Sequence, residues 1–215
     1  MKTVHGWAFP DADRFMANEM KPDGRYQSSH LDAALAHVSD FSCAIDGGAH
    51  VGTWSKMLSG RFGRVVAVEP SWDTFECLNV NMQRFACENV DTLNVALGAK
   101  RGFVSMAPLD ERAEDLANTG ARFVQPGGSI VCEAIDDWNL PSLGFLKLDV
   151  EGSEVDALTG AAFTLTRCKP VVLFECKGFW RRFGHAKDAP HTLLLSLGYY
   201  EAQVVGCDRI WKARP

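Results

Sequence analysis

The sequence predicts an α/β protein built on a doubly wound, mostly parallel sheet with one reversed edge strand. Three observations carry this. Cys43-Ala44-Ile45 is a short apolar run that stops at Asp46-Gly47-Gly48. A helical pattern follows, with Trp54, Met57, Leu58 and Phe62 on one face; strand, glycine turn and helix form the opening of a nucleotide-binding unit. Further apolar strands, several closed by an acid, alternate with stretches at helical spacing. Last, Tyr199–Val205 and residues 209–213 flank Gly206-Cys207-Asp208, a hairpin signal. Parallel crossovers cannot end in a hairpin unless one strand is reversed.

The first 28 residues mix Trp7, Phe9 and Tyr26 with Pro10, Pro22 and Gly24, which predicts an irregular arm with at most one short helix near residues 13–20. Ser29 with Asp32 makes a capping pattern, and Leu31, Ala34, Leu35 and Val38 repeat at helical spacing. After the glycine turn, Val65-Val66-Ala67-Val68 is a second buried strand closed by Glu69. Pro70 and Ser71 open the next helix, whose expected buried face is Phe75, Leu78, Met82 and Phe85. Residues 92–97, including Asn94 and Val95, read as the third strand, stopped by Gly98. From Lys100 to Asp137 the pattern is irregular; turn signals at Asn118-Thr119-Gly120 and Pro126-Gly127-Gly128 predict a strand-rich insertion. A fourth strand then runs to Asp149, and one helix from Ser153 is expected to bury Val155, Leu158, Ala162 and Leu165. Residues 170–175 form a fifth strand ending at Glu175. Pro190 suits a first helical position and Gly198 a helix stop.

With 215 residues the chain is expected to be one structural domain, residues 1–40 forming an arm and helix packed on a core of residues 41–215. A net charge of −5 disfavours a nucleic-acid partner, since phosphate contacts need Lys and Arg. Seven scattered cysteines without a CxxC pair read as reduced thiols of a cytoplasmic protein rather than a zinc site. No apolar run spans a bilayer, so no membrane partner is expected.

Two motifs carry the chemistry. In Asp46-x-Gly48-Ala49-His50-x-Gly52 the glycines permit a tight turn and close ligand approach. Glu69 follows about twenty residues later, where such folds place the acid that holds ribose hydroxyls. An acid such as Asp46 at the strand end suits amine or hydroxyl donors better than a pyrophosphate. The second motif is Lys147-x-Asp149-x-Glu151-Gly152-x-Glu154. Lys147 and Asp149 share one strand face near its C-terminal end, where ligands bind in open α/β sheets, and Glu175 closes the next strand at the same edge. Trp7, Phe179 and Trp180 line a pocket or pack in the core, and His185 and His191 read as surface histidines. A nicotinamide-dependent oxidoreductase shares the turn and Glu69 but does not need the Lys147–Glu154 cluster. A non-catalytic cofactor-binding protein keeps the fold and turns nothing over.

In this order, Ile45-Asp46-Gly47-Gly48-Ala49-His50-Val51-Gly52-Thr53-Trp54, Val66-Ala67-Val68-Glu69-Pro70, Asn81, Leu146-Lys147-Leu148-Asp149-Val150-Glu151-Gly152-Ser153-Glu154, Gly160, Lys169-Pro170 and Glu175 resemble the FkbM family of S-adenosylmethionine-dependent methyltransferases. Gly47 departs from that pattern, which usually has Val or Ile there. The resemblance implies a Rossmann-like class I methyltransferase fold, S-adenosyl-L-methionine as cofactor, and O-methylation of a small-molecule, sugar or glycan-like hydroxyl acceptor. It places the cofactor against Asp46, Gly48, Ala49, His50, Gly52, Glu69, Pro70, Asn94, Val95 and Asp149. A hydroxyl acceptor needs a base, for which Asp149 is the first candidate and Glu175 the second; Lys147 is expected to fix the acceptor or the cofactor carboxylate. No metal is expected, a divalent ion on Asp149, Glu151 and Glu175 being the weaker alternative. Acceptor choice is assigned to the arm, the 100–137 stretch and residues 177–190.

Overall fold

The structure, a computed structural model, describes residues 1–22, 25–108 and 118–215. Gly24 of the arm and the part of the irregular stretch from residue 109 to 117 lie outside the described residues. The chain opens with a small hairpin, β1 (Lys2–Val4) and β2 (Trp7–Phe9), followed by α1 (Phe15–Glu19) and α2 (Ser28–Leu35). The core then runs β3 (Cys43–Gly47), α3 (Thr53–Ser59), β4 (Arg64–Val68), α4 (Trp72–Arg84) and β5 (Val90–Leu93). Four short strands follow, β6 (Ala96–Leu97), β7 (Gly102–Met106), β8 (Val124–Pro126) and β9 (Ile130–Glu133). The chain returns through β10 (Phe145–Leu148), α5 (Glu154–Thr159), α6 (Ala162–Cys168), β11 (Val171–Glu175) and α7 (Ala189–Ser196) to the terminal pair β12 (Tyr199–Val205) and β13 (Asp208–Ala213).

Among the described residues the main sheet has the order β12-β13-β11-β10-β3-β4-β5. All neighbours are parallel except those of β13, which is antiparallel to both β11 and β12. One strand is thus reversed, as expected, and it lies one place in from the edge. The tight turn at Gly206-Cys207 makes β12 and β13 antiparallel, and β13 takes the pairing with β11, so β12 is outermost. Pleating sorts the side chains. Ile45, Val66, Leu146, Leu148, Val172 and Phe174 pack on one face with Leu158 and Leu165 of α5 and α6 and Leu194 of α7. Ala44, Val65, Phe145 and Leu173 pack on the other with Leu31 of α2 and Trp54 and Leu58 of α3. No helix among the described residues is long and apolar enough to cross a membrane.

Several local expectations are corrected. The arm contains a hairpin, because Asn81 of α4 exchanges hydrogen bonds with the backbone of Ala8, donating to its carbonyl at 3.0 Å and accepting from its N–H at 2.7 Å. Trp7 and Phe9 are buried there, and Trp180 is buried in the main core rather than lining a pocket. Helix α2 starts at Ser28 after Gln27 in the left-handed region, with no side-chain cap from Ser29. The expected strand over 92–97 splits into β5 and β6, because Asn94 leaves the sheet to donate to the carbonyls of Glu69 and Pro70 at 2.8 and 3.2 Å. The single helix expected from Ser153 breaks at Gly160. A Cβ there would meet the Gly98 carbonyl oxygen at 2.1 Å, and α6 restarts with its first N–H groups held by the Asp136 carboxylate at 3.0 and 2.8 Å. His191 is half-buried and stacks on Trp211.

Candidate active site

The strand ends of β3, β4, β10 and β11 open on a cavity of about 310 Å³, within the usual size of a small-molecule site. Its wall contains Gly48, Ala49, His50, Glu69, Pro70, Val95, Lys147, Asp149, Glu151 and Glu175. Tyr26 and Gln27 of the arm, Thr119 and Arg122 of the insertion, and Lys177 are among its other lining residues. Of the sequence-predicted cofactor residues, Asp46, Gly52 and Asn94 stand behind this wall. Gly52 has φ +92°, and a Cβ there would meet Leu78 and Met82 of α4 at 2.6 and 2.7 Å, so it serves the entry into α3 and its close packing on α4. Gly48, at φ +74°, has the Asp149 carbonyl oxygen 1.8 Å from any added Cβ. It lets the glycine turn and the end of β10 meet.

Asp46 and Lys147 face each other across the β3–β10 register. The Lys147 ammonium donates to Asp46 Oδ1 at 2.8 Å and to the Gly48 carbonyl at 3.2 Å, and Ser55 of α3 donates to Asp46 Oδ2 at 2.7 Å. Both charges are buried. Burial works against the Lys147 charge, but Asp46 and Asp149 more than offset it and hold the pKa above the ordinary lysine value. The pair is an internal strut under the turn: Asp46 stands behind the cavity wall, while Lys147 also lines the cavity.

The turn's own N–H groups are already engaged. Those of Gly48 and Ala49 donate to the Val68 carbonyl at 3.0 and 2.9 Å, and that of Gly52 to Ala49 at 2.9 Å. The N–H of His50 donates to Glu69 Oε2 at 3.0 Å, while Ser71 N–H reaches Oε1 at 2.9 Å. Glu69 is thereby fixed at the cavity wall; burial pushes its carboxyl up to about 7 against those two bonds. Each of its oxygens keeps a lone pair for a hydroxyl donor.

In the same cavity Asp149, Glu151 and Glu175 place carboxylate oxygens within 4.8 Å of one another. The Lys177 ammonium sits among them, 2.6 Å from Glu175 and 3.3 Å from Glu151. Burial, the Asp149 charge and a hydrogen bond to Asp149 push Glu175 up to about 7. Burial raises the Tyr26 phenol, with Asp149 and Glu175 adding to it, so Tyr26 is held as a protonated donor near the two carboxyls. Sequence reasoning missed Gln27, Thr119, Arg122 and Lys177 as cavity residues. No local pattern marks them, since only folding brings the arm and the insertion to the strand ends.

Behind this wall, Glu154 is buried with Oε1 accepting from Gly152 N–H at 3.1 Å and Oε2 without a partner among the described residues. Burial pushes it from 4.5 up to about 7. A raised carboxyl contributes stability that is complete below about 4.5 and is lost as pH rises through about 7. Glu154→Gln is therefore expected to raise Tm at pH 8, by about 2–4 °C per kcal/mol of relieved charge burial, and to have little effect at pH 5. Thermal melts at the two pH values check this; an equal change at both is the contrary outcome.

A model of the methyltransferase FkbM domain matches residues 46–200. The chain belongs to the FkbM methyltransferase family. Among curated relatives, the hexuronic acid methyltransferase AglP of Haloferax volcanii is 29% identical over 157 residues, 70% of this chain and 63% of that protein. The chain thus spans less than two thirds of that relative's length. Methyltransferase FkbM from Methylobacillus flagellatus superposes with a TM-score of 0.51 at 20% identity, covering 80% of this chain and 43% of that one. The precorrin-6y C5,15-methyltransferase of Geobacter metallireducens gives 0.52 at 15% identity, with 92% and 94% covered. The fold is that of the class I methyltransferases.

Proposed function

We propose that this FkbM-family methyltransferase uses S-adenosylmethionine to methylate a hydroxyl oxygen of a small-molecule, sugar or glycan-like acceptor. The observation that carries this reading is one cavity lined by Glu69 and by Asp149 and Glu175, whose carboxylate oxygens lie within 4.8 Å of one another. The donor set suits the cofactor. Glu69 offers acceptor oxygens to ribose hydroxyls, Pro70 and Val95 offer apolar surface to a base, and the turn offers no unengaged N–H of Gly48, Ala49 or His50 to a pyrophosphate. That last feature, with the family membership, weighs against the nicotinamide alternative. AglP, named for a hexuronic acid acceptor, supports a sugar-like substrate.

When bound, the cofactor supplies a sulfonium methyl that is already electrophilic. The chain's own part is to hold an acceptor oxygen in line with it and to take the hydroxyl proton. Asp149 and Glu175 act as a coupled pair for that proton, Lys177 steadies the pair's charge, and Tyr26 O–H is placed to orient the acceptor. The proton leaves from the carboxyl pair to solvent along the open side of the cavity. Because Glu175 is pushed up to about 7 and must be ionised to accept a proton, turnover is expected to rise with pH through that region and to fall below it.

Incubation with S-adenosylmethionine and a panel of uronates, neutral glycosides and glycans should release S-adenosylhomocysteine with at least one of them. Glu69→Ala is expected to weaken cofactor binding about 10- to 150-fold, as loss of a charge-assisted hydrogen-bond acceptor does. Calorimetry giving equal affinity for the wild type and Glu69→Ala, with no S-adenosylhomocysteine from the panel, would remove the reading.

A further inference from the structure

Asp13 is a heavily constrained polar group outside the carboxyl cluster. It comes from the N-terminal arm and is fully buried. Its Oδ1 accepts from Ala17 N–H at 3.1 Å, opening α1. Its Oδ2 accepts from both the N–H of Thr119, at 3.3 Å, and the Thr119 hydroxyl, and its carbonyl oxygen accepts from the Lys2 ammonium. Thr119 belongs to the insertion, 106 residues away. His50 Nε2 lies 2.7 Å from Thr119 Oγ1 and 3.6 Å from Asp13 Oδ2.

The proton order follows from the donor inventory. A carboxylate accepts, so the Thr119 O–H donates a hydrogen bond to Asp13 Oδ2, and a remaining lone pair of the hydroxyl accepts from His50 Nε2–H. Burial pushes the imidazole down to about 4 against the pull of Asp13 and Asp149, so it is neutral and must choose one tautomer. The contact with Thr119 chooses Nε2–H. The His50 backbone is in the left-handed region at φ +52°, an uncommon conformation for a residue with a side chain. In that conformation its N–H meets Glu69 Oε2 at 3.0 Å.

We propose that Asp13 and Thr119 form a clasp that holds His50, and through its backbone Glu69, in cofactor-binding geometry, so that the arm and the insertion set affinity for the cofactor. Asp13, Thr119 and His50 are positioning residues here; Glu69 makes the contact. Three segments distant in sequence meet at one buried hydroxyl. The arm thus bears on the cofactor as well as on acceptor choice. This inference rests on the cofactor reading above.

The test compares the wild type with Thr119→Val, which keeps the shape and removes the hydroxyl, and Thr119→Ser, which keeps the hydroxyl. Thr119→Val is expected to weaken S-adenosylmethionine binding about tenfold, the equivalent of about 1.4 kcal/mol; Thr119→Ser is expected to stay within about threefold of the wild type. Nitrogen-15 histidine spectra of the cofactor-free protein give a readout independent of binding. His50 should be an Nε2–H tautomer in the wild type and Thr119→Ser, and a mixture in Thr119→Val. Unchanged affinity in Thr119→Val, or an unchanged His50 signature, overturns the clasp. Equal losses in both variants also overturn it, since they would report packing rather than the hydroxyl. A wild type that does not bind S-adenosylmethionine at all overturns the cofactor reading instead, and the spectra then still decide whether the clasp holds His50.

Discussion

Asp149→Asn is expected to lower methyl-transfer turnover by about a hundredfold or more, the usual effect of losing a general base. Asp149 lines the cavity, follows directly on β10, and has a carboxylate oxygen within 4.8 Å of one of Glu175. The substitution keeps the shape and removes both the proton acceptor and the charge that lifts Glu175. Two effects should appear together. The maximal rate falls, and the pH midpoint near 7 associated with Glu175 moves down, because the like charge that raises it has gone. Cofactor affinity should change little, since Glu69 and the glycine turn are untouched. The measurement is S-adenosylhomocysteine release against pH, with calorimetric binding as control. A wild-type rate in Asp149→Asn would move the base role to Glu175 alone, and Glu175→Gln would then carry the loss.

The second large effect is on stability. Lys147→Met leaves Asp46 buried without its counter-ion, and breaking a buried pair in this way costs about 3–5 kcal/mol. For a chain of this size Tm should fall on the order of 10 °C. The strut is well made: Asp46 Oδ1 takes the ammonium at 2.8 Å and Oδ2 takes Ser55 at 2.7 Å. The double change Lys147→Met with Asp46→Asn removes the stranded charge and is expected to regain part of the loss. Denaturant melts of both single variants and the double form a cycle. Additive losses would show that the pair is not coupled, and a loss under about 1 kcal/mol in Lys147→Met would show that the charge is relieved elsewhere. Because the strut supports the glycine turn, the same variant should also weaken cofactor binding, with the turnover of the bound fraction less affected than in Asp149→Asn.

Much of the main sheet could be read from local chemistry. Runs such as Val65-Val66-Ala67-Val68 and Phe145-Leu146-Lys147-Leu148 are buried on both faces, so they stand out as continuous apolar strands. Glycines at 48 and 52 mark the turn because only a residue without Cβ fits the approach to Asp149 or the left-handed entry into α3. The Lys147–Glu154 cluster was visible as a density of charge at a strand end. What the cluster does was less visible. Lys147 and Asp149 sit two residues apart on one face and both line the cavity, yet Lys147 is also locked to Asp46. The register of β10 against β3 sets Lys147 opposite Asp46.

The sequence by itself determined the fold class, the alternation of strands and helices, the reversed strand near the terminus, and the acids that gather at the strand ends. These follow from periodicity and from turn chemistry, which act over a few residues. The tertiary structure alone decided which acids are braces and which face the cavity. It ordered the arm through Asn81, broke a helix at Gly160 against Gly98, and drew Tyr26, Lys177 and Thr119 to the site. It also brought Asp13 to His50. The physical reason is the same in each case: a buried polar group must find a partner wherever the packed chain supplies one, and for Asp13 that partner lies 106 residues away.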